Sequence, residues 1–335
     1  MLPLDLPGLN AVNAYLLADD HDFVLVDCGI YGRGRRSPDA QPGAAPIAAG
    51  APDHGWNELV GALDAAGAGP EDVTRLVVTH HHADHYGMAA RVLQAAGCEL
   101  WMHARARQDL EVYRRPERRA RWLRSLLEAH GVGPDESTEL AGYEDWRAYV
   151  AAVVDPDVDL HDGQEMEIGT RKWTVLHTPG HARCHVCLWC EDEHLLVSGD
   201  HLLPGVTPHI DAGGDTEDPL GDYLTSLERV EDLAPGLVLP GHGRPFEEGA
   251  ARARATLRHH ERRLGAVLQV IRHEPKSARA VSDEIFGASL LDFHRRLALG
   301  EALAHLTYLE RRGEVERVRD DGTLLYAKAA RRNHS

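Results

Sequence analysis

Four histidines and one aspartate stand within seven residues of the stretch THHHADHYGM, residues 79–88. His80 and His82 are two positions apart, so they project to the same side if the preceding apolar strand, residues 76–78, continues through them. Asp84 and His85 follow as neighbouring oxygen and nitrogen donors. Imidazole and carboxylate groups are natural ligands of zinc and its neighbours. The spacing therefore predicts two metal ions, one held by His80 and His82 and the other by Asp84 and His85. The chain has 22 histidines, so chance pairs are expected, but chance does not favour this spacing.

Length and charge limit the classes of protein to which the chain can belong. At 335 residues it exceeds one ordinary domain, and two domains are expected. The net charge of −17, from 36 basic and 53 acidic residues, argues against a general polyanion binder, although a local basic groove stays open. A secretory signal pattern and a run of about 18 apolar residues are both missing from the sequence. We therefore expect a soluble, cytoplasmic protein without a membrane partner.

Three of the five cysteines, Cys184, Cys187 and Cys190, have the spacing Cys-x-x-Cys-x-x-Cys. This spacing raises the alternative of an iron–sulfur cluster or a further metal site. The segment has a strand pattern, however, and on a strand Cys187 faces away from the other two cysteines. We therefore expect reduced thiols rather than a cluster.

Two segments are predicted to be insertions. Residues 32–55 are rich in Gly, Pro and Ala and lack apolar periodicity, which indicates an irregular loop, interpreted as a flap at the edge of the site. Residues 103–150 are predicted to be mainly helical, with eight arginines against three acids between Arg105 and Arg124. A basic lid over an anionic substrate is one interpretation. A solvated helix face is the favoured one, because most charge runs are solvated.

The composition changes beyond about Pro245. Apolar residues at helical spacing predict three helices, and two strand-like segments then flank the turn RDDG at residues 319–322. This order is that of a small winged-helix domain. The predicted third helix offers few basic residues before Arg311, so we favour packing or homodimerisation over DNA binding.

Several apolar runs end in a polar residue at a turn, which is a common way to build a site on a rigid sheet. The ordered motifs HHHADH, TPGH, SGD and PGHG resemble the metallo-β-lactamase superfamily, most closely its glyoxalase II-like hydrolases that carry a C-terminal winged helix. The resemblance implies an α/β fold, a four-layer αββα sandwich over residues 1–248 with the winged-helix domain at 249–335. It also implies seven metal ligands: His80, His82 and His181 for one ion, Asp84, His85 and His242 for the other, and Asp200 as the bridge.

The chemistry implied by such a site is hydrolysis by a metal-bridging hydroxide. Two divalent ions about 3.5–4 Å apart share a water molecule and lower its pKa towards neutrality. Zinc is the first choice, and iron and manganese stay open because no thiolate ligand selects against them. We expect Asp84 to orient the hydroxide and Asp27 to orient a metal-bound histidine. His185 is interpreted either as a similar partner or as an ordinary strand histidine, and His81 as a structural residue.

The substrate is less determined than the site. The leading hypothesis is hydrolysis of an ester, thioester or lactone of a small acyl molecule, with His209 and Tyr223 as catalytic or substrate-contacting residues. Structural roles for these two side chains are equally open. The alternative is an endoribonuclease or other phosphodiesterase of the same fold, for which the arginine-rich insertion would hold phosphates. A β-lactamase, a DNA-binding sensor and an iron oxygenase are less favoured.

Overall fold

The computed structural model describes residues 1–6, 9–19, 22–32, 54–142, 145–212 and 217–330. Nearly all of the predicted loop at 32–55 lies outside these residues. The chain divides into two compact units. The sheet unit contains Met1–Arg114, Trp146–Pro208 and Ser226–Arg254. The helical unit contains Arg115–Asp145, His209–Thr225 and Ala255–Ser335.

The sheet unit consists of twelve strands and several short helices among its described residues. The strands are β1 (Leu2–Leu6), β2 (Leu9–Ala18), β3 (Phe23–Val26), β4 (Arg75–Val77), β5 (Glu99–His103), β6 (Val158–Leu160), β7 (Glu165–Ile168), β8 (Arg171–His177), β9 (Val186–Cys190), β10 (Leu195–Gly199), β11 (Leu237–Pro240) and β12 (Phe246–Glu247). The α-helices are α1 (His54–Ala65), α2 (Ala83–Tyr86), α3 (Ala89–Ala96), α4 (Ala106–Asp109) and α5 (Glu111–Arg114). Two 3₁₀ turns occupy Pro70–Asp72 and Arg147–Tyr149.

The strands form two sheets that pack face to face. The first sheet has the order β1-β2-β3-β4-β5-β6, and the second has the order β12-β11-β10-β9-β8-β7. One apolar cluster joins the two inner faces, with Val24 and Val77 from the first sheet and Val175, Leu188 and Val197 from the second. This arrangement is the core of the predicted αββα sandwich.

Helices cover the outer face of the first sheet because their apolar side chains need a partner there. Leu59 and Leu63 of α1 and Val92 of α3 are buried in one cluster with Leu25 and Leu76 of the sheet. A later helix, α8 (Pro219–Leu233), belongs to both units. Its C-terminal part lies in the sheet unit, where Leu227 and Val230 are fully buried.

The helical unit is built from segments that are far apart in the sequence. Its elements are α6 (Pro116–Ala129), α7 (Pro134–Gly142), the first part of α8, most of α9 (Gly249–Val270), β13 (Lys276–Ser277), α10 (Ala278–Phe286), α11 (Asp292–Arg311), β14 (Val315–Asp320) and β15 (Thr323–Lys328). Leu123 and Leu140 of the insertion share one buried cluster with Val267, Leu303 and Tyr326 of the tail. Residues 115–145 of the predicted insertion thus form one core with the predicted tail. The boundary at residues 248 and 249 stays a prediction.

The predicted hairpin is present at the end of the described chain. Asp320 pairs with Thr323, and the two turn residues, Asp321 and Gly322, have φ values of 41° and 86°. Positive φ at both positions defines the type I′ turn that suits the twist of paired strands, and it favours Gly and Asp. The three-stranded sheet has the order β13-β15-β14. The winged-helix assignment of this tail stays a prediction.

One local expectation differs from the structure. Strand β4 ends at Val77, so the histidines do not continue it. They lie on a loop, residues 78–82, and on the short helix α2 that follows. Among the described residues, no helix combines the length and apolarity needed to cross a bilayer.

Candidate metal centre

The candidate site lies where parallel strands end. Strand β3 pairs in parallel with β4, and the backbone N–H of Asp27, the residue after β3, donates to Val77 O at 2.9 Å. Strands β10 and β11 are also parallel, and Gly241 N, just after β11, donates to Gly199 O at 2.7 Å. Each pair brings two loops together at one sheet edge, because parallel strands end on the same side.

Backbone hydrogen bonds join these two edges across the sandwich. Val186 N donates to Thr79 O at 2.9 Å, and Asn13 N donates to Gly241 O at 2.7 Å. The Tyr15 hydroxyl, buried between the sheets, donates to Pro240 O at 2.7 Å. These contacts hold the loops of the first sheet against the loops of the second. The polar residues of both sheets therefore meet in one place.

Three histidine nitrogens converge in the first group of donors. His80 Nε2 and His181 Nε2 each lie 3.0 Å from His82 Nδ1. Two nitrogens bound tetrahedrally to one zinc ion at about 2.05 Å lie about 3.3 Å apart. The three ring nitrogens are therefore spaced as the ligands of a single ion are.

A second group combines two carboxylates with two histidines. His242 Nε2 lies 3.3 Å from Asp84 Oδ2 and 3.4 Å from Asp200 Oδ2. His85 Nε2 lies 3.4 Å from Asp200 Oδ1 and 3.8 Å from Asp84 Oδ2. Asp200 also reaches the first group, because its Oδ2 lies 3.6 Å from His181 Nε2. The seven side chains thus form one cluster. Asp200 contacts His181 of the first group as well as His85 and His242 of the second.

Hydrogen bonds behind the site fix which nitrogen of each ring faces it. Asp27 Oδ2 lies 2.8 Å from His85 Nδ1, and Ala11 O lies 2.8 Å from His242 Nδ1. Both partners are acceptors, so each Nδ1 carries the proton and each Nε2 is left to face the site. Asp27 is itself held by Thr79, whose N–H donates to Oδ1 at 2.7 Å and whose hydroxyl donates to Oδ2 at 2.9 Å. Asp27 adopts φ 60°, an uncommon value for a residue other than glycine.

His185 has both ring nitrogens engaged in positioning contacts. Its Nε2 accepts a hydrogen bond from Asp200 N at 3.1 Å, so its Nδ1 carries the proton and donates to Thr178 Oγ1 at 2.8 Å. Of the two interpretations from the sequence, the geometry favours the partner of a metal ligand. Thr79 and Thr178 carry no sequence signal beyond standing next to strand ends, and the sequence did not single them out.

The charges of the site depend on each other. Burial lowers the pKa of His80 well below its ordinary value, and the neighbouring His85 and His82 lower it further. Burial acts in the same direction on His85, but the carboxylates of Asp200, Asp84 and Asp27 outweigh it and raise the pKa of that ring well above its ordinary value. Burial favours the neutral form of Asp200, yet His85 and His242 hold its pKa well below the usual range. The ionised carboxylates of this site are therefore stabilised by the positive charge of the neighbouring histidines.

The donor set fits a bound cation. His85 Nε2 and Asp200 Oδ1 are buried and lie 3.4 Å apart, and neither forms a hydrogen bond among the described residues. Leaving a buried lone pair without a partner costs free energy, so such atoms need an explanation. Three triads of this cluster have their donor atoms within 4.8 Å of one another: His80, His82, His181; His80, His85, Asp200; Asp84, His85, His242. A divalent cation would satisfy the unpaired atoms and would take the place of the protons on His85 and His242.

Three further residues were singled out from the sequence. His209 and Tyr223 belong to the helical unit. His209 Nδ1 lies 3.9 Å from Glu301 Oε2, and Tyr223 is fully buried with its ring against His260. His81 lies beside the centre, with its Nδ1 3.7 Å from Cys184 Sγ.

The metallo-beta-lactamase superfamily model matches residues 7–242 of the chain, which include all seven side chains of the centre. The chain belongs to this superfamily. A second model, the C-terminal domain of metallo-beta-lactamase-like proteins, matches residues 264–329. The chain is therefore a hydrolytic enzyme of a metal-dependent superfamily, with the αββα fold that the sequence motifs predicted.

Individual superfamily members support this assignment. The Thermus thermophilus metallo-beta-lactamase family protein TTHA1429 is 31% identical, with a TM-score of 0.78 over 98% of this chain and 97% of that one. The Bacillus subtilis "Probable metallo-hydrolase YqjP" is 28% identical over 71% of this chain and 75% of its own. The acyl-coenzyme A thioesterase MBLAC2 of Bos taurus is 32% identical over 51% of this chain. The match spans 56% of the length of MBLAC2.

Proposed function

We propose that this enzyme is a dinuclear metal hydrolase that cleaves an ester, thioester or lactone of a small acyl molecule, and that acyl-coenzyme A thioesters are its first candidate substrates. The observation that carries the proposal is the pair of donor groups joined by Asp200, which touches His181 of one group and His85 and His242 of the other. The similarity to MBLAC2 supports the thioester as the substrate class. The proposal keeps zinc as the first metal to test, with iron and manganese as alternatives.

Each donor group is assigned one ion. His80, His82 and His181 would hold the first, because their three nitrogens converge. Asp84, His85 and His242 would hold the second, and Asp200 would bridge the two. When bound, two such ions lower the pKa of a shared water molecule and polarise a substrate carbonyl.

Asp84 is the proposed proton acceptor of the reaction. Its side chain is 20% exposed, whereas that of Asp200 is 9% exposed, so Asp84 is the carboxylate that solvent and substrate reach more easily. His85 and His242 lower the pKa of Asp84 against the effect of burial, which keeps it ionised and able to accept a proton. Asp27 and His185 position His85 and Asp200 through the hydrogen bonds described above.

His209 stays a candidate substrate contact, because its side chain is 24% exposed. Tyr223 stays a weaker candidate, since a fully buried phenol favours the structural alternative. For residues 249–335 we propose the winged-helix fold, with packing or homodimerisation rather than DNA binding as its role. The order of α9, α10, α11 and the final hairpin supports this proposal.

The test combines metal content with a substrate panel. Protein stripped of metal and reloaded with zinc is assayed on acyl-coenzyme A thioesters, aryl esters, lactones and single-stranded RNA. We expect thioester or ester turnover that disappears on chelation and falls at least about 100-fold in Asp84→Ala. Asp64→Ala, an exposed carboxylate on α1, is the matched control and should retain full activity. Activity confined to RNA, and lost in Asp84→Ala, would favour the phosphodiesterase instead.

A further inference from the structure

We propose a third metal site, separate from the dinuclear centre and formed by His81, Asp109 and Cys184. Their donor atoms lie within 4.8 Å of one another. This set contains a thiolate donor, which the dinuclear centre does not, so it would select a borderline or soft ion such as zinc. The inference does not depend on the substrate proposed above.

The spacing of the His81 and Cys184 donor atoms suits one ion. His81 Nδ1 lies 3.7 Å from Cys184 Sγ. For zinc bound tetrahedrally with Zn–N of about 2.05 Å and Zn–S of about 2.3 Å, the N···S separation is about 3.6 Å. The observed distance therefore requires almost no movement of either side chain.

Asp109 supplies an oxygen that lacks a formed hydrogen bond. Arg183 Nη2 and Nε donate to Asp109 Oδ1 at 2.6 and 2.9 Å and so fix the carboxylate. The side chain is only 7% exposed. Its Oδ2 is buried and forms no hydrogen bond among the described residues. A carboxylate that is oriented by a hydrogen bond from a neighbouring side chain and lies near nitrogen and sulfur donors is typical of a metal ligand.

Cys184 supplies the sulfur donor of the set. Burial and the Asp109 carboxylate raise the pKa of the thiol well above its ordinary value, so without a cation the sulfur stays protonated. Backbone groups of His81 and Cys184 act in the opposite direction and lower this pKa, but by less. Metal binding would release the thiol proton to solvent and leave three protein ligands with one open position.

The site would cross-link loops that carry ligands of the dinuclear centre. His81 stands between His80 and His82, and Cys184 precedes His185, which positions Asp200. Asp109 is the last residue of helix α4, so the ion would also tie this helix to both loops. The third ion would therefore hold the dinuclear centre in shape without touching substrate.

Cobalt provides the decisive measurement, because a cobalt–thiolate bond gives a near-ultraviolet charge-transfer band that imidazole and carboxylate ligands do not give. Metal-free wild-type protein is titrated with Co²⁺ and, in parallel, loaded with Zn²⁺ and counted. We expect the band in the wild type and about three zinc ions per chain. Cys184→Ser should lose the band and one zinc ion. Cys98→Ser, at a half-buried cysteine just before β5, should keep both.

Two results would overturn the proposal. The first is a wild-type protein that takes up only two ions and shows no charge-transfer band. The second is a band that persists in Cys184→Ser, which would place the thiolate ligand at another cysteine. If Cys184→Ser does not fold, the wild-type titration still decides the question. Asp109→Asn provides a second variant, in which the cobalt affinity measured from the charge-transfer band should fall at least about 10-fold.

Discussion

At the scale of single residues, the candidate centre depends on groups that hold the metal-binding side chains but would not touch a metal themselves. The proton positions of His85 and His242 follow from Asp27 and Ala11 O, and the position of Asp200 follows from His185. An imidazole binds a metal only through an unprotonated nitrogen, so a partner that fixes the tautomer acts directly on affinity. Hydrogen-bond partners should therefore matter nearly as much as the ligands.

Asp27→Asn tests this directly. The amide oxygen would replace Oδ1 as acceptor for Thr79 N, and the amide nitrogen would then face His85 Nδ1. Two donors cannot pair, so His85 would move its proton to Nε2 and lose the lone pair that faces the site. We expect metal affinity or kcat/KM to fall about 10–100-fold, measured by chelator competition and by steady-state turnover.

Asp22→Asn is the matched control for this prediction. Asp22 lies just before the same strand, β3, and its carboxylate pairs with Arg75 rather than with any residue of the centre. It should leave metal affinity unchanged. An Asp27→Asn protein with wild-type affinity would show that the histidine does not need its carboxylate partner.

At the scale of elements, the site depends on the ends of two parallel strand pairs and on the space between their loops. The sequence predicted that polar residues follow apolar runs, and the structure adds that the first pair is β3 with β4 and the second β10 with β11. The bounds were predicted less well. Strand β4 ends three residues before His80, because His80, His82 and α2 must turn towards the second sheet rather than extend the first.

Gly241 shows how little space the loop after β11 has. A Cβ at this position would collide with Asp200 Oδ1 and would lie 2.7 Å from His85 Cε1. We expect Gly241→Ala to displace Asp200, to lower kcat/KM at least about 100-fold and to cost about 1–3 kcal/mol of stability. Turnover and urea unfolding measure the two effects.

Gly61→Ala serves as the control, because a Cβ at this helical position meets nothing within 4 Å. It should leave activity unchanged and stabilise α1 by up to about 1 kcal/mol, since alanine is the better helix former. Equal activity of the two variants would mean that the loop after β11 relaxes without moving Asp200.

At the scale of the whole molecule, the helical unit joins segments that the sequence treats as separate. Residues 115–145 interrupt the sheet unit, yet Leu123 and Leu127 of α6 share a buried cluster with Leu299 and Leu306 of α11. An apolar helix face needs a partner, and the linear sequence does not show which segment supplies it. The predicted insertion and tail therefore depend on each other for burial.

Truncation after Arg254 tests this dependence. The shortened chain would keep α6 and α7 but lose the tail side chains that bury them, so we expect aggregation or strong binding of a hydrophobic dye. A chain that ends at residue 330 retains every strand and helix that the structure describes and should behave as the full chain does. A monodisperse, dye-free 1–254 fragment would instead show that residues 1–254 fold independently of the tail.

Buried neutral histidines make stability depend on pH. Burial lowers the pKa of His130 to about 4, with a smaller contribution from Arg317. The unfolded chain takes up a proton near pH 6.5 and the folded chain does not, so folding becomes less favourable as pH falls from about 6.5 towards 4, by about 1.4 kcal/mol per pH unit. His260, with a pKa lowered to about 3 by burial and His305, acts in the same direction.

His130→Phe isolates one such contribution, because the phenyl ring keeps the stacking on Tyr326 without a titratable group. We expect the loss of unfolding free energy between pH 6.5 and 5.5 to be about 1 kcal/mol smaller in the variant than in the wild type. Urea unfolding of the zinc-loaded proteins at both pH values gives the comparison. Identical pH dependence would mean that His130 titrates alike in the folded and unfolded chain.

The superfamily, the sandwich fold and the residues from which a metal centre would be built are all recognisable in the linear sequence, because metal chemistry restricts the choice of side chains and their spacing. The tertiary structure alone decided which ring nitrogens face the centre, how Asp200 touches both donor groups and how Cys184 comes to lie beside His81 and Asp109. Contacts between distant segments depend on packing and on backbone hydrogen bonds across the two sheets, and no local pattern records them. For the same reason, the helical unit combines an insertion and a tail that the sequence keeps apart.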